Sequence, residues 1–254
     1  MVFVYGALMF LALAGMIVCS KKQKTNPAMQ PIAFVLFIVV VIGAIMLLKE
    51  MEIFGNSNSN SSLLSNELKF YSSQGYKVGK FFSQNNAGKK VLFVVEPELV
   101  NSENIKGLVE AFSEGYGSNN VVIDTIVLPG NQAEAPMPLY MMMKAKDFDA
   151  LLEKHGDVQI VVNTIGLPND LQKMKYWKAD KATRPALFLL GMPSGRIDGL
   201  AEAIAKGDIA GIVTSNPKAK YDVKAPSDPE EAFDIRYILV NKDNVEANKA
   251  NLLN

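Results

Sequence analysis

The chain has 254 residues with 26 basic and 26 acidic side chains, so its formal net charge is zero. That balance supplies no field to recruit nucleic acid or to steer a charged substrate. With Cys19 as its one cysteine and His155 as its one histidine, the chain can form no intramolecular disulfide and has too few ligands for a His/Cys zinc or haem site.

Two apolar stretches open the sequence. Val2–Cys19 and Ile32–Leu48 carry no charged side chain, and the segment between them holds Lys21, Lys22 and Lys24 against no acidic residue. A helix rises about 1.5 Å per residue, so ~17–25 such residues match a ~30 Å hydrocarbon core, and basic residues in short loops stay cytoplasmic. The sequence therefore predicts a transmembrane helical hairpin over residues 1–54. It places the protein in the cell (inner) membrane as a multi-pass chain with the bilayer as a partner. The C-terminal domain is then extracytoplasmic, and periplasmic in a Gram-negative host. The first run lacks the basic start of a cleaved signal, and Val18 before Cys19 is too large for an acylation site, so Cys19 reads as an ordinary thiol at a helix end. Gly6, Ala14, Gly15 and Gly43 are small residues suited to helix–helix contact.

Residues 55–62, GNSNSNSS, are too polar to bury anything and read as a flexible linker, with an α/β domain over 63–254. Residues 63–82 have a helical pattern interrupted by Gly75 and Gly79, with Leu68, Tyr71, Val78, Phe81 and Phe82 as buried positions. Val91–Val95 is a continuous apolar run typical of a strand covered on both faces. Ile105, Leu108, Val109 and Phe112 then line one face of a helix. Val121–Leu128 is a second strand, followed by a loop rich in Ala, Pro and Met. Phe148, Leu151, Leu152 and His155 mark another helix, with Gly156 as its expected C-cap. Strands are predicted at Ile160–Ile165, Ala186–Leu190, Ile209–Thr214 and Ile235–Val240, a helix face at Ile197, Leu200, Ala201 and Ile204, and a last helix through Val245. Strand–helix alternation of this kind implies a mostly parallel sheet with helices on both faces, a Rossmann-like three-layer α/β domain behind the hairpin.

Residues 199–217, GLAEAIAKGDIAGIVTSNP, and 91–116, VLFVVEPELVNSENIKGLVEAFSEGY, resemble segments of the type 1 periplasmic solute-binding proteins and their repressor relatives. In that family a helix ending in a Lys-Gly turn leads into a short strand and an Asn-Pro loop beside the ligand. The resemblance implies two lobes of about equal size with solute bound between them. The strands here supply one lobe, which implies a ligand site that is shallow or shared with another subunit.

Ligands of open parallel sheets sit beyond the carboxyl ends of the strands. The segments at those ends are Glu96–Glu98, Thr164–Asp170, Gly191–Arg196 and Thr214–Pro217. In GMPSGR, Ser194 and Arg196 offer a hydroxyl and a guanidinium near a helix start; the plainer reading makes Ser194 a cap and leaves Arg196 solvated. Thr214 and Asn216 can bond a polar solute or satisfy their own turn. Glu96 and Glu98, split by Pro97, do not define an acid/base pair, and His155 before Gly156 suits a helix C-terminus better than catalysis. Met137, Met141, Met142 and Met143 fill a core or, if exposed, mark an interface. The nucleophile-elbow, zinc-protease and CxxC motifs do not occur.

The sequence thus predicts no enzyme, no cofactor and no metal. Its first reading is a non-catalytic, membrane-anchored subunit of a membrane-associated assembly, acting through the α/β domain on other membrane protein subunits or on copies of itself. The alternative is a tethered solute-binding sensor or transport accessory, with a small polar solute held by Ser194, Arg196, Thr214 and Asn216.

Overall fold

The computed structural model describes residues 2–22, 29–50, 57–128, 137–190 and 199–252. The chain divides into two compact units, Met1–Ser65 and Asn66–Asn254.

In the first unit, helices α1 (Val2–Lys22) and α2 (Met29–Glu50) pack on one another. Gly15 faces Leu36 and Gly43 faces Met9 so closely that an added Cβ would lie 2.9 Å and 2.6 Å from those side chains. Two of the small residues expected at a helix contact therefore serve one inside this chain. Among the described residues no helix is long and apolar enough to cross a membrane. The expected multi-pass placement in the inner membrane, with an extracytoplasmic C-terminal domain, is corrected on that ground. Polar residues occupy the helix ends: α1 closes on Ser20, Lys21 and Lys22, and α2 begins Met29-Gln30-Pro31 and closes on Lys49 and Glu50. Lys24 lies outside the described residues.

Helix α3 (Ser57–Asn86) takes in residues 57–62 of the stretch expected to be a linker, and it runs unbroken through Gly75 and Gly79. Those glycines do not end the helix because they are its contact surface. It packs against α4 (Glu103–Tyr116), and a Cβ on Gly75 would fall 2.0 Å from the Leu108 carbonyl oxygen, one on Gly79 2.2 Å from that of Phe112. Gly115 of α4 faces the Tyr76 carbonyl in the same way, at 2.2 Å. The two backbones touch where side chains normally keep helices apart.

The sheet of the second unit runs in the order β2-β1-β3-β4-β5-β6. Its strands are β1 (Val91–Val95), β2 (Val121–Thr125), β3 (Ile160–Asn163), β4 (Ala186–Leu189), β5 (Gly211–Ser215) and β6 (Tyr237–Asn241). The first five are parallel, and β6 returns antiparallel to β5, with Thr214 opposite Ile238. Side chains alternate across a strand, so Leu92 and Val94 enter one core and Val91, Phe93 and Val95 the other. On the first side lie α6 (Ala145–Lys154), α7 (Leu200–Ala205) and α9 (Val245–Asn248), which contribute Phe148, Leu151, Ile204 and Val245. On the second lie α3, α4 and α8 (Pro229–Arg236), with Phe82, Phe112 and Phe233. The mostly parallel, three-layer arrangement expected from the sequence is the observed one.

Several boundaries move. Residues 235–236, expected to start the last strand, finish α8, whose N-cap Asp228 accepts the Glu230 N–H with Pro229 in the first turn. The C-cap of α6 is His155 rather than Gly156. Met143 is fully buried, Met141 and Met142 are half-buried in the short α5 (Leu139–Met142), and Met137 is exposed.

Candidate functional site

The sheet order reverses at β1: the chain goes from β1 outward to β2, then back past β1 to β3. In open parallel sheets such a reversal leaves a crevice at the carboxyl ends of the two central strands. Here its floor is cross-linked. The Thr164 N–H and hydroxyl both donate to the Val94 carbonyl, each at 3.0 Å, which ties the end of β3 to the end of β1. Asn163 is fully buried; its amide nitrogen donates to the Gly166 carbonyl at 2.7 Å and its amide oxygen accepts the Ile165 N–H at 3.0 Å. Gly166 has φ of 93°, a value that favours glycine, and this lets the chain turn over the strand end. Beside it β1 runs into Glu96, half-buried, whose carbonyl accepts the Leu99 N–H at 3.0 Å.

Further along the same edge, the Leu190 N–H at the end of β4 donates to the Asn163 carbonyl at 2.9 Å. The next residues, with Ser194 and Arg196, lie outside the described residues. At the end of β5, Thr214 is buried, Ser215 is exposed, and Asn216 satisfies its own turn. Its N–H donates to the Arg236 carbonyl at 2.8 Å, its amide nitrogen donates to the Asp234 carbonyl at 3.0 Å, and its amide oxygen accepts the Lys218 N–H at 2.9 Å. Thr214 and Asn216 are thus two positions apart at one strand end, with Leu190 leaving the neighbouring, parallel strand.

Two side chains at this edge carry no signal in the sequence as site residues. Tyr71 of α3 has its hydroxyl pKa raised, first by burial and then by Tyr237 and Glu96 nearby. Tyr237 is raised by burial as well, with Arg236 opposing. Both hydroxyls stay protonated at neutral pH and are able to donate as well as accept.

The opposite, amino edge carries a cleft of about 270 Å³ lined by Lys89, Gln159, Tyr176, Lys181, Arg184 and Asp208. Its polar groups bond one another. Asp208 holds Arg184 at 2.6 Å and Lys181 at 2.7 Å, and these cations, Lys181 first, lower its pKa against the opposing effect of burial. Arg184, its side chain 5% exposed, lies over the Tyr176 ring at 4.6 Å. The Tyr176 hydroxyl donates to the Pro185 carbonyl at 2.9 Å, and burial lifts its pKa to about 12. A third, shallow groove of about 440 Å³ lies at the start of α6, where Asp170 and Asp147 already accept the N–H groups of Ala145 and Lys144.

His155 approaches Asp124 of β2 with Nε2 2.6 Å from the carboxylate, and Lys154 reaches the same oxygen at 2.5 Å. Burial alone raises the Asp124 carboxyl, but the bonds from His155, Lys154 and the Thr125 N–H outweigh it and hold the pKa at about 2. The pair pins the end of α6 to an edge strand. Among the described residues no three His, Cys, Asp or Glu side chains converge as a metal set.

No family model and no curated protein matches the chain. Solved structures do. The sugar-binding protein of a sugar ABC transporter from Bacillus halodurans aligns with 70% of this chain and 64% of its own length, at 12% identity and a TM-score of 0.44. AraP, an arabinose-binding protein from Geobacillus stearothermophilus, aligns over 70% and 62% at 14% identity and 0.43. A periplasmic ribose ABC transporter protein from Conexibacter woesei aligns over 71% and 60% at 13% identity and 0.44. The chain weakly resembles solute-binding proteins. It spans about three fifths of the length of these structures, and the likeness lies in the chain path alone.

Proposed function

We propose that this chain recognises a small polar solute at the carboxyl edge of its sheet and carries out no chemistry on it. One observation carries the reading: β3, β4 and β5 are successive parallel neighbours beside the β1/β3 reversal. The segments that follow them therefore start side by side, and those segments hold Thr164, then Ser194 and Arg196, then Ser215 and Asn216. Hydroxyl, amide and guanidinium groups carried on such neighbouring segments suit hydrogen-bonded recognition, whereas the chain's single histidine is engaged with Asp124.

The test is thermal denaturation of the full chain against a panel of monosaccharides, small carboxylates and inorganic phosphate. A ligand at about 100 times its Kd adds roughly 2.7 kcal/mol to stability, a clear shift in Tm. The expected result is a shift with at least one class, weakened about tenfold in affinity by Arg196→Ala while the unliganded Tm holds. No shift with any member at millimolar concentration rejects the reading.

A second reading, a non-catalytic subunit of a protein assembly, is favoured by one specific feature. Phe10, Leu11 and Phe34 on α1 and α2 are 73%, 71% and 65% exposed, an apolar surface of the kind that partners cover. Co-purification of a fixed set of other subunits, together with a silent solute panel, supports it.

A further inference from the structure

Residues 217–228 join the end of β5 to the start of α8, and they are held mainly by side chains from elsewhere in the fold. Asn66, in α3, clasps this segment through two bonds: its amide nitrogen donates to the Val223 carbonyl at 3.2 Å, and its amide oxygen accepts the Ala225 N–H at 2.7 Å. Arg236, the last residue of α8 and almost wholly buried, donates from Nε to the Lys220 carbonyl and from Nη2 to that of Tyr221, both at 3.4 Å. Its guanidinium is itself fixed from α3 by a two-pronged pair with Glu67, at 2.5 Å and 2.8 Å, and lies 3.5 Å from the centre of the Phe70 ring.

Little apolar burial binds the segment otherwise. Ala225 and Val223 pack against Phe70, while Lys218, Lys220, Tyr221, Asp222 and Lys224 are exposed. Segments with few buried apolar contacts are the ones that open without global unfolding. Asn216, just before the segment, is bonded separately to the Asp234 and Arg236 carbonyls of α8.

We infer that residues 217–228 are a latched strap, closed by Asn66 and by the Glu67–Arg236 pair of α3 and α8, which opens as a unit while the sheet stays folded. Opening uncovers Phe70 and Arg236, while the end of β5 stays paired with β6 through Ser215 and Tyr237. The inference does not depend on a solute binding there, and its test uses none.

Native-state hydrogen exchange of the full chain, read peptide by peptide, decides it. Glu67→Gln and Asn66→Ala are each expected to speed exchange across 217–228 by about tenfold or more, with the peptides of β1 and β3 unchanged. Two variants on different parts of the latch guard against one of them misfolding. Unchanged protection of 217–228 in both variants overturns the proposal, and so does a matching rise in β1 and β3, which makes these bonds supports of the whole fold rather than of a strap.

Discussion

The two ends of the parallel strands have opposite characters. At the amino edge, Arg184, Lys181, Asp208 and Tyr176 consume one another's bonding capacity across a cleft of about 270 Å³. At the carboxyl edge, the backbone is cross-linked by Thr164 and Asn163, yet Glu96 and Ser215 keep surface open to solvent. The first arrangement rigidifies, because the nearly buried Arg184 is held by Asp208, by the Tyr176 carbonyl and against the Tyr176 ring. The second is a cross-linked floor that leaves Glu96 and Ser215 at the surface. On the function proposed above, the amino edge supports the fold and the carboxyl edge is the one that meets solute.

Both edges hang on the same frame, so the largest effect comes from breaking that frame. Gly79→Ala drives a Cβ to 2.2 Å from the Phe112 carbonyl and 2.8 Å from the Tyr116 nitrogen, contacts that backbone atoms cannot relieve by changing rotamer. A loss of about 3 kcal/mol or more is expected in urea unfolding, with α3 forced off α4. A cost below about 1 kcal/mol contradicts the close contact.

Next in size is the amino edge. Arg184→Ala removes a nearly buried cation, leaves Asp208 with Lys181 as its remaining ion-pair partner, and takes the cation off the Tyr176 ring, which keeps Trp177 beside it. Removing one member of such a pair is expected to cost about 2–3 kcal/mol, without altering solute affinity. If affinity falls while stability holds, the roles of the two edges are reversed.

Alkaline pH gives a smaller, signed version of the same test. The Tyr176 hydroxyl titrates near 10 when free and near 12 in the fold, chiefly because burial disfavours the phenolate. A raised folded value means that its contribution is complete below pH 10 and is lost as pH rises from 10 to 12, a change of up to about 2 kcal/mol. The wild-type minus Tyr176→Phe difference in stability should fall by that amount over the same window, since the subtraction removes the shared titration of lysines and leaves that of Tyr176. An unchanged pH dependence in the variant rejects the assignment.

The smallest effect on stability belongs to the carboxyl edge. Asn216→Ala deletes the bonds to Asp234 and Lys218 in a turn that is only part-buried, and about 1 kcal/mol or less is expected. Solute affinity, in contrast, should fall about tenfold, because these bonds set the turn that follows the exposed Ser215. A large Tm loss with intact binding moves Asn216 from the site to the frame.

Much of this fold is legible in the sequence because its signals are local. VLFVV at Val91–Val95 is a strand with the bounds its apolar run predicts, and Ile105, Leu108 and Phe112 are buried on α4 as their spacing requires. Gly75 and Gly79 misled in one respect, since propensity counts glycine as a break while packing against α4 makes it a requirement. Helix α8 escaped notice although Asp228-Pro229-Glu230 is a readable helix start; its apolar positions Ala232, Phe233 and Ile235 continue into β6 and mimic the opening of a strand. The clusters were out of reach for another reason. Glu67 meets Arg236, Asn66 meets Val223, and Arg184 meets Asp208 across long stretches of sequence, and nothing in one chain records those pairings. Thr214 and Asn216 could be placed at a strand end from the Asn-Pro turn; that the β4 and β5 ends are neighbours became visible only with the sheet order.

The most direct test of the carboxyl edge as the recognition surface is amide chemical-shift mapping of the full chain during titration with the solute that gives the largest thermal shift. The account predicts that perturbed amides cluster at Glu96, Thr164, Ser215 and Asn216 and saturate together. Perturbations centred on Lys89, Thr183 and Asp208 at the amino edge, or scattered shifts that do not saturate, contradict it.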